Sequence, residues 1–365
     1  MSNVIFRLET GDSAAWDRWV SAGPDPHHEQ MAAWGDAQSF VGWTALRLVG
    51  RKDGSLVGGV QILEKPIRRF GKVGYVNRGP LMAGTEAEGI RGRLAEALAG
   101  LAKERHYLYL VVVLPYGGSH MVQALEGRGF MPHPAGLPPV RYMTDTACLA
   151  LAATLDDILA GMRSSTRKHI RQGLKRGLKV RMGDEADLKA FDALLDALCE
   201  RRGARRNIPR LDFLVQLWRG FQPSGGLRIF VAEHAGVPIA ALLVFTLGEW
   251  VREWRIGWNG EHAELLPNEL LRWEVIRWAK ERGFRWYDFS GIDATLARKV
   301  ATGAEILPSE MTGPSWFKLG FGGRPIELSS DYSFFPNPAL RLVMRRFGAA
   351  LLARPTIQGW IRSAG

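Results

Sequence analysis

Leu227-Arg-Ile-Phe-Val-Ala-Glu-His-Ala-Gly-Val-Pro-Ile-Ala-Ala-Leu-Leu-Val-Phe-Thr-Leu247 reads as a strand, a turn and a second strand. Apolar residues dominate Leu227 to Glu233 and Pro238 to Leu247, and His234-Ala-Gly-Val237 supplies the turn between them. Working outward, Trp250 to Ile256 forms a third strand, a helix runs from about Asn268 to Arg282, and Phe284-Arg-Trp-Tyr-Asp-Phe289 closes the series as a strand. The first half of the chain has the same order. Thr44-Ala-Leu-Arg-Leu-Val49 is a strand, Lys52-Asp-Gly-Ser55 a turn, and Leu56 to Leu63 a second strand. A third lies around Gly74-Tyr-Val-Asn77, followed by a helix from about Glu86 to Glu104 and the strand Tyr107-Leu-Tyr-Leu-Val-Val-Val113. First to last strand start spans Thr44 to Tyr107 in one half and Leu227 to Phe284 in the other, about 60 residues each. One α+β unit, used twice, accounts for both intervals.

Strand-turn-strand-strand-helix-strand is the central order of the GNAT acyltransferase fold. The expected fold is therefore α+β: two tandem GNAT-like acyltransferase domains, mixed sheets flanked by helices, and a basic C-terminal helical tail. The boundaries expected are 1–148 for the first domain, 149–335 for the second including a basic helix at 155–180, and 336–365 for the tail. A chain of 365 residues suits this count, since single cores rarely grow beyond roughly 250 to 300 residues. Apolar runs such as Ile239 to Leu247 fall well short of the roughly 18 residues of a spanning helix. Met1-Ser-Asn-Val-Ile-Phe-Arg7 lacks the pattern of a signal peptide, so a cytoplasmic location is expected. Cys148 and Cys199 sit in apolar stretches and read as core thiols.

The net charge of +11 favours polyanionic partners, whether tRNA, phosphorylated small molecules or an anionic membrane. Much of it is concentrated between Leu155 and Val180. There Ile158, Met162, Ile170, Leu174 and Leu178 recur at helical spacing, with Arg163, Arg167, Lys168, Arg171, Lys175 and Arg176 between them. One face packs, and the other is either a solvated surface or a phosphate-contacting one. In the tail, Leu340, Val343, Met344, Phe347 and Leu351 form a stripe accompanied by Arg341, Arg345, Arg346 and Arg354. Such a helix either caps a domain or rests peripherally on an anionic bilayer.

Several stretches together resemble the FemABX family of peptidoglycan aminoacyltransferases. They are Gln30 with Trp34-Gly35, Tyr75-Val-Asn-Arg-Gly-Pro80, the basic segment Met162 to Val180, Leu266-Pro-Asn268, Tyr287-Asp-Phe-Ser-Gly-Ile292 and Phe317-Lys-Leu-Gly-Phe-Gly-Gly323. The resemblance implies tandem GNAT-like domains that take an aminoacyl group from aminoacyl-tRNA and place it on an amine of a cell-wall precursor, with no metal or nucleotide cofactor. It also implies that Lys318 lies at the tRNA acceptor end and that Arg78 lines an acceptor cleft with Tyr75 and Gln30. The departures lie on the acceptor side: Gln38 and Leu114-Pro115 stand where relatives acting on nucleotide-linked muropeptides tend to have a Lys and an Asp-Pro.

The residues themselves agree with an activated-ester donor. Acetyl-CoA enzymes of this fold bind pyrophosphate at a Gly-rich loop opening a helix. Here Gly257-Trp-Asn-Gly-Glu-His-Ala-Glu-Leu-Leu-Pro-Asn268 brings two Glu instead, and Gly79-Pro-Leu-Met-Ala-Gly-Thr85 offers no better loop. With an ester already activated, catalysis reduces to aligning a neutral amine and stabilising charge on oxygen. Lys318 is the candidate cation. Asp288, at a strand end, is a candidate for orienting the amine or a nearby lysine, and Phe317 and Phe321 for stacking on a terminal adenine. Arg163, Arg167, Lys168, Arg171 and Lys175 are candidate tRNA contacts, and Arg205 and Arg206 candidate anion-binding residues on the acceptor side. Each also has an ordinary structural reading as core aromatic, turn residue or surface ion pair. His27-His28 is the only His pair and is not expected to hold a metal; no nucleophile elbow or Walker-type loop is present. Two other readings stay open: an acyl-CoA-dependent N-acyltransferase of the same fold, and a non-catalytic RNA-binding protein.

Overall fold

A computed structural model describes residues 4–9, 11, 13–67, 71–82, 87–138, 145–206 and 208–355. The chain divides into two compact units, Met1–Tyr142 with Leu328–Gly365, and Met143–Glu327. In chain order the first unit contributes β1 (Ile5–Glu9), α1 (Ser13–Ser21), α2 (Ala32–Ser39), β2 (Thr44–Lys52), β3 (Ser55–Ile67), β4 (Gly71–Val76), β5 (Leu81–Met82), α3 (Ala87–Glu104), β6 (Tyr107–Val112), α4 (Val122–Glu126) and β7 (Met131–Pro132). The second contributes β8 (Asp145–Ala150), α5 (Leu155–Gly161), α6 (Ser164–Lys175), β9 (Lys179–Met182), α7 (Asp187–Arg201), α8 (Leu211–Phe221), β10 (Leu227–His234), β11 (Val237–Leu247), β12 (Trp250–Trp258), α9 (Pro267–Glu281), β13 (Trp286–Asp288), α10 (Ala294–Thr302), α11 (Gly313–Leu319) and β14 (Arg324–Glu327). The chain then returns to the first unit with β15 (Tyr332–Phe334) and α12 (Pro338–Leu352).

The two sheets share one plan. The first has the order β1-β2-β3-β4-β6-β15-β7 with β5 on β3, and the second β14-β8-β13-β12-β11-β10-β9. Each holds a single parallel pair, β4 with β6 and β12 with β13, among antiparallel neighbours. Parallel neighbours need a crossover, and α3 and α9 provide it. On α3, Leu94, Leu98 and Ala102 are fully buried against Val60, Ile62, Leu110 and Val112. On α9, Leu271, Val275, Ile276 and Ala279 are likewise buried against Leu242, Val244, Val251 and Tyr287. The fold is that of tandem GNAT-like domains, as expected.

Three local expectations change. The boundary expected at 148 cuts β8, whose residues pair with β13 and β14 of the second sheet. The boundary expected at 335 misplaces β15, which pairs with Leu110 to Val112 in the first sheet. The segment 155–180 is not one helix. Met162 and Arg163 are extended, and the Arg163 N–H donates to the Gly320 carbonyl at 2.9 Å in place of an intrahelical partner. Past Gly177 (φ +76°), where a residue with a Cβ would be strained, Lys179 to Met182 joins the sheet edge against β10. The tail does form a helix, α12, while residues from 356 onward and the expected helix start at Glu86 lie outside the described residues. Cys148 is buried and Cys199 half-buried, and neither is in a disulfide. Among the described residues no helix is long and apolar enough to cross a membrane.

In the first unit, β4 pairs with β3 only from Leu63 to Ile67. Beyond that point the fully buried side chain of Gln30 fills the gap. Its Oε1 accepts from the Gln61 N–H at 2.7 Å, and its Nε2 donates to Asn77 O at 2.6 Å and Gln61 O at 3.3 Å. Gln61 reciprocates, donating to Met31 O and Glu29 O. Two glycines make room for this clasp: a Cβ on Gly35 would lie 2.9 Å from Gln61 Oε1, and one on Gly79 2.9 Å from Gln30 Nε2. Gln30→Ala is expected to strand buried backbone groups and cost about 3 kcal/mol, read as a lower urea midpoint; an unshifted midpoint would remove the clasp from the account.

Candidate functional site

The second sheet forks. β12 and β13 are paired at Trp250–Trp286, Val251–Tyr287 and Arg252–Asp288, and then separate. β12 continues to Trp258 on its partner β11, with Leu243 facing Arg255 and Val244 facing Glu253, so Trp254 is an extra residue in a bulge. After Asp288 the chain instead follows β8, with Phe289 N–H donating to Ala147 O and Ile292 N–H to Asp145 O. Separated strand ends leave side chains and backbone groups at the root of the fork, and polar residues gather there.

Glu253 and Arg272 form the deepest pair, each about 5% exposed. Arg272 donates Nε to Glu253 Oε1 at 2.8 Å and a terminal nitrogen to Oε2 at 3.0 Å; the Tyr287 hydroxyl adds a third bond at 2.9 Å. Buried charge is tolerated only when paired and hydrogen-bonded, and here both carboxylate oxygens are engaged. Burial raises the Tyr287 pKa, and the Glu253 carboxylate beside it acts in the same direction. Asp288 is fully buried. Its Oδ1 accepts from Thr146 Oγ1 at 2.5 Å and from the Ser290 N–H at 2.8 Å, and its Oδ2 is 3.4 Å from Arg252 Nε. Ser290, at φ +58°, also donates its hydroxyl to Glu253 O. The turn after β13 is thus fixed from both sides.

That turn holds Lys318. From the half-buried α11, Lys318 Nζ donates to Gly291 O at 2.9 Å and Ser290 O at 3.3 Å. An ammonium has three donors, and two carbonyls account for two of them. Burial pulls the Lys318 pKa down to about 8, against the Glu253 carboxylate, which favours the charged form. Asp288 thus fixes the turn whose Ser290 and Gly291 carbonyls hold the lysine.

The aromatic candidates separate. Phe317 is half-buried, with the Arg272 guanidinium 5.0 Å from its ring centre. Phe321 is fully buried, 5.6 Å from Phe289; it is a core residue and has no open face for a base. The basic candidates separate in the same way. Arg163 stacks 3.5 Å from the Trp316 ring centre and donates to Trp316 O at 3.0 Å, and burial lowers its pKa. Arg167 donates to the Ala160 and Met162 carbonyls, closing the end of α5. Both are half-buried and fasten α6 through these contacts, whereas Lys168, Arg171 and Lys175 are exposed on α6. Arg206, 11% exposed, is locked to Asp192 and Asp196 and to the carbonyls of Ile208 and Pro209. It is a structural ion pair and not an open anion site, while its neighbour Arg205 is exposed.

The first-unit candidates lie at the carboxyl ends of β4 and β6. Arg78 (φ +54°) donates to Leu114 O at 3.4 Å, its guanidinium 4.9 Å from the Tyr116 ring centre. Tyr75 is half-buried, 6.4 Å from Trp43. Gln30 belongs to the clasp described above and presents no group to a ligand. The ligand atoms of His27, His28 and Glu29 lie within 4.8 Å of one another. The two imidazoles stack nearly parallel at 4.7 Å, His27 Nδ1 is 3.1 Å from Glu29 Oε2, and Asn77 donates to Glu29 Oε1.

Sequence reading missed Glu253, Arg272, Thr146 and Ser290. A usable signal was present for Arg272, which interrupts the apolar face Leu270-Leu271-Arg272-Trp273 of α9 and is buried with it. A charged residue on a packing face must have a buried partner.

Comparison with known proteins extends these observations. The acetyltransferase (GNAT) domain family matches residues 160–298, which include α6, the fork strands and α9. The lipid II:glycine glycyltransferase of Staphylococcus aureus (strain MRSA252) is 26% identical over 194 residues, 51% of this chain and 46% of the relative. The chain thus spans about half the length of the curated relatives it matches. A crystal structure of FemX superposes with a TM-score of 0.78 at 18% identity, covering 93% of this chain and 100% of that one. A tandem GNAT protein from the clavulanic acid biosynthesis pathway does so with a TM-score of 0.53 at 14% identity, covering 92% and 99%. In fold the chain is built of tandem GNAT-like domains over nearly all of its length, and over about half of it the sequence is similar to that of the lipid II:glycine glycyltransferase.

Proposed function

We propose that the chain is an aminoacyltransferase that moves an amino acid from aminoacyl-tRNA to an amine of a peptidoglycan precursor, forming a peptide bond. The observation that carries this reading is Lys318, a partly desolvated cation held by two carbonyls at the root of the β12–β13 fork. The match to a lipid II:glycine glycyltransferase supports the same chemistry. Attack of a neutral amine on the ester carbonyl places negative charge on its oxygen, and the remaining N–H of Lys318 meets that charge where water competes least. Collapse breaks the ester bond, the ribose oxygen leaves and takes up the proton that the attacking amine gives up, and no covalent enzyme intermediate forms. Phe317 supplies an apolar face beside the lysine. The exposed Lys168, Arg171 and Lys175 give α6 a cationic surface for the phosphates of an acceptor stem. Arg78, in the first unit, is the candidate for an acidic group of the acceptor. Its neighbour Leu114-Pro115 lacks a carboxylate, which favours an acceptor other than a standard nucleotide-linked muropeptide. The reading implies work on the cytoplasmic side of the membrane.

Radiolabelled aminoacyl-tRNAs and acyl-CoAs offered with a precursor extract test the reaction: label should move from tRNA, and movement from CoA alone would replace this reading with an N-acyltransferase. Lys318→Ala is expected to lower turnover about 100-fold or more while changing tRNA affinity far less. Unchanged turnover would take the lysine out of the mechanism. Because the Lys318 pKa lies at about 8, its charge is present below that pH and lost above it. Divided by the rate of Lys318→Arg, whose charge persists, the wild-type transfer rate should therefore fall as pH rises through 8; the ratio removes the ionisation of the acceptor amine, and a flat ratio would leave the charge of Lys318 outside the mechanism. Replacing Lys168, Arg171 and Lys175 together with Ser should lower the slope of log affinity against log salt by about 2 to 3, and an unaltered slope would leave α6 a solvated surface.

A further inference from the structure

The tail helix α12 has two apolar faces. One is fully used: Met344, Gly348 and Leu352 are buried, the two side chains among Val73, Tyr109, Val111 and Phe335. Arg341 belongs to this side too, donating to Phe335 O at 2.9 Å and stacking 4.5 Å from the Phe334 ring centre. The stripe expected from the sequence therefore divides. Met344 turns inward, while Val343 and Phe347 remain 40% and 57% exposed, joined by Leu342 at 66%. No other helix among the described residues carries more than one exposed large apolar side chain.

At 100° per residue, Leu342, Val343, Arg346, Phe347 and Ala350 share the outward half of the helix, and Arg345 lies about 30° beyond it on the groove side. Arg345 and Arg346 are exposed, Arg354 follows the helix, and residues 338–352 contain no Asp or Glu. Alongside runs an open groove of about 800 Å³ whose lining includes Phe130, Met131, Phe347, Arg345 and Arg346, with Glu126 as its one carboxylate.

We propose that this outer face of α12 docks on an anionic lipid bilayer, with Leu342, Val343 and Phe347 entering below the headgroups and Arg345 and Arg346 meeting lipid phosphates. Apolar side chains interleaved with cations, on a helix lacking carboxylates, match the boundary between acyl chains and phosphates. A second copy of the chain fits less well, because face-to-face pairing would oppose the same arginines in a chain of net charge +11. The proposal stands independently of the transfer reaction and does not use the fork.

The test is flotation of the full chain with vesicles of phosphatidylcholine alone or with about 30% phosphatidylglycerol. The chain should float with the anionic vesicles, less so at high salt, and poorly with the neutral ones. Leu342→Ser, Val343→Ser and Phe347→Ser combined should weaken flotation at least tenfold. Arg345→Ser with Arg346→Ser should weaken it roughly fivefold per charge removed, with an unchanged melting temperature in both variants. A wild-type chain that ignores anionic vesicles, or a triple apolar variant that binds like wild type, would overturn the proposal. So would a wild-type dimer that the triple variant converts to monomer, since another copy would then cover the face.

Discussion

The arrangement of the second unit depends on a buried carboxylate at the point where two parallel strands separate. Glu253 sits one residue beyond the last β12–β13 pair, out of reach of solvent, and is neutralised by Arg272 from the crossover helix and by the Tyr287 hydroxyl. An ion pair at this depth is weak as a source of net stability, but losing either partner would strand a charge in a poor solvent. The pair therefore ties the crossover helix to the fork in a single register. Lys318 then lies in a field with two opposing parts: burial lowers its pKa, and Glu253 holds it up. The carboxylate thus keeps a cation at a place where burial alone would favour the neutral amine.

The two units solve the same problem of separated strands differently. In the first, the gap beyond Leu63–Tyr75 is filled by the amide of Gln30, which satisfies the backbone of β3 and of Asn77. In the second, the gap is left to ionised groups and a lysine. Neutral amides give a closed and rigid strand junction; paired charges with one donor to spare give a place where reaction is feasible. Gln30 spends all of its amide on the junction, whereas Lys318 bonds two carbonyls with its three donors. Gly35 and Gly79 serve the clasp by lacking a Cβ, whereas Gly320 lets α11 approach α6, where a Cβ would lie 2.7 Å from Thr166 Oγ1.

The positive charge of the chain is also less available than its total suggests. Arg163, Arg167 and Arg206 are occupied by a tryptophan ring, by carbonyls at a helix end and by two aspartates respectively. What remains open on α6 is a shorter strip of Lys168, Arg171 and Lys175. On α12, Arg341 belongs to the fold and Arg345 and Arg346 remain open. A guanidinium bonded within the protein contributes to the long-range field but does not make new contacts without breaking old ones.

By itself the sequence determined the order of elements in both units, the duplication, the tail helix and the position of Lys318 within its motif. Strand alternation, helical spacing and turn residues such as Asp53-Gly54 and Ala235-Gly236 are read within a few neighbours, so they survive without any knowledge of contacts. It could not determine that β15 returns to the first sheet, that Lys179 to Met182 leaves the helical pattern for a sheet edge, or that Phe321 is core while Phe317 is not. Nor could it join Glu253 to Arg272, or Asp288 to Thr146, 142 residues away. Those outcomes belong to the tertiary structure, because whether a charged or aromatic side chain meets solvent, a carbonyl or an opposite charge is settled by residues distant in sequence, and burial makes each such pairing all but obligatory.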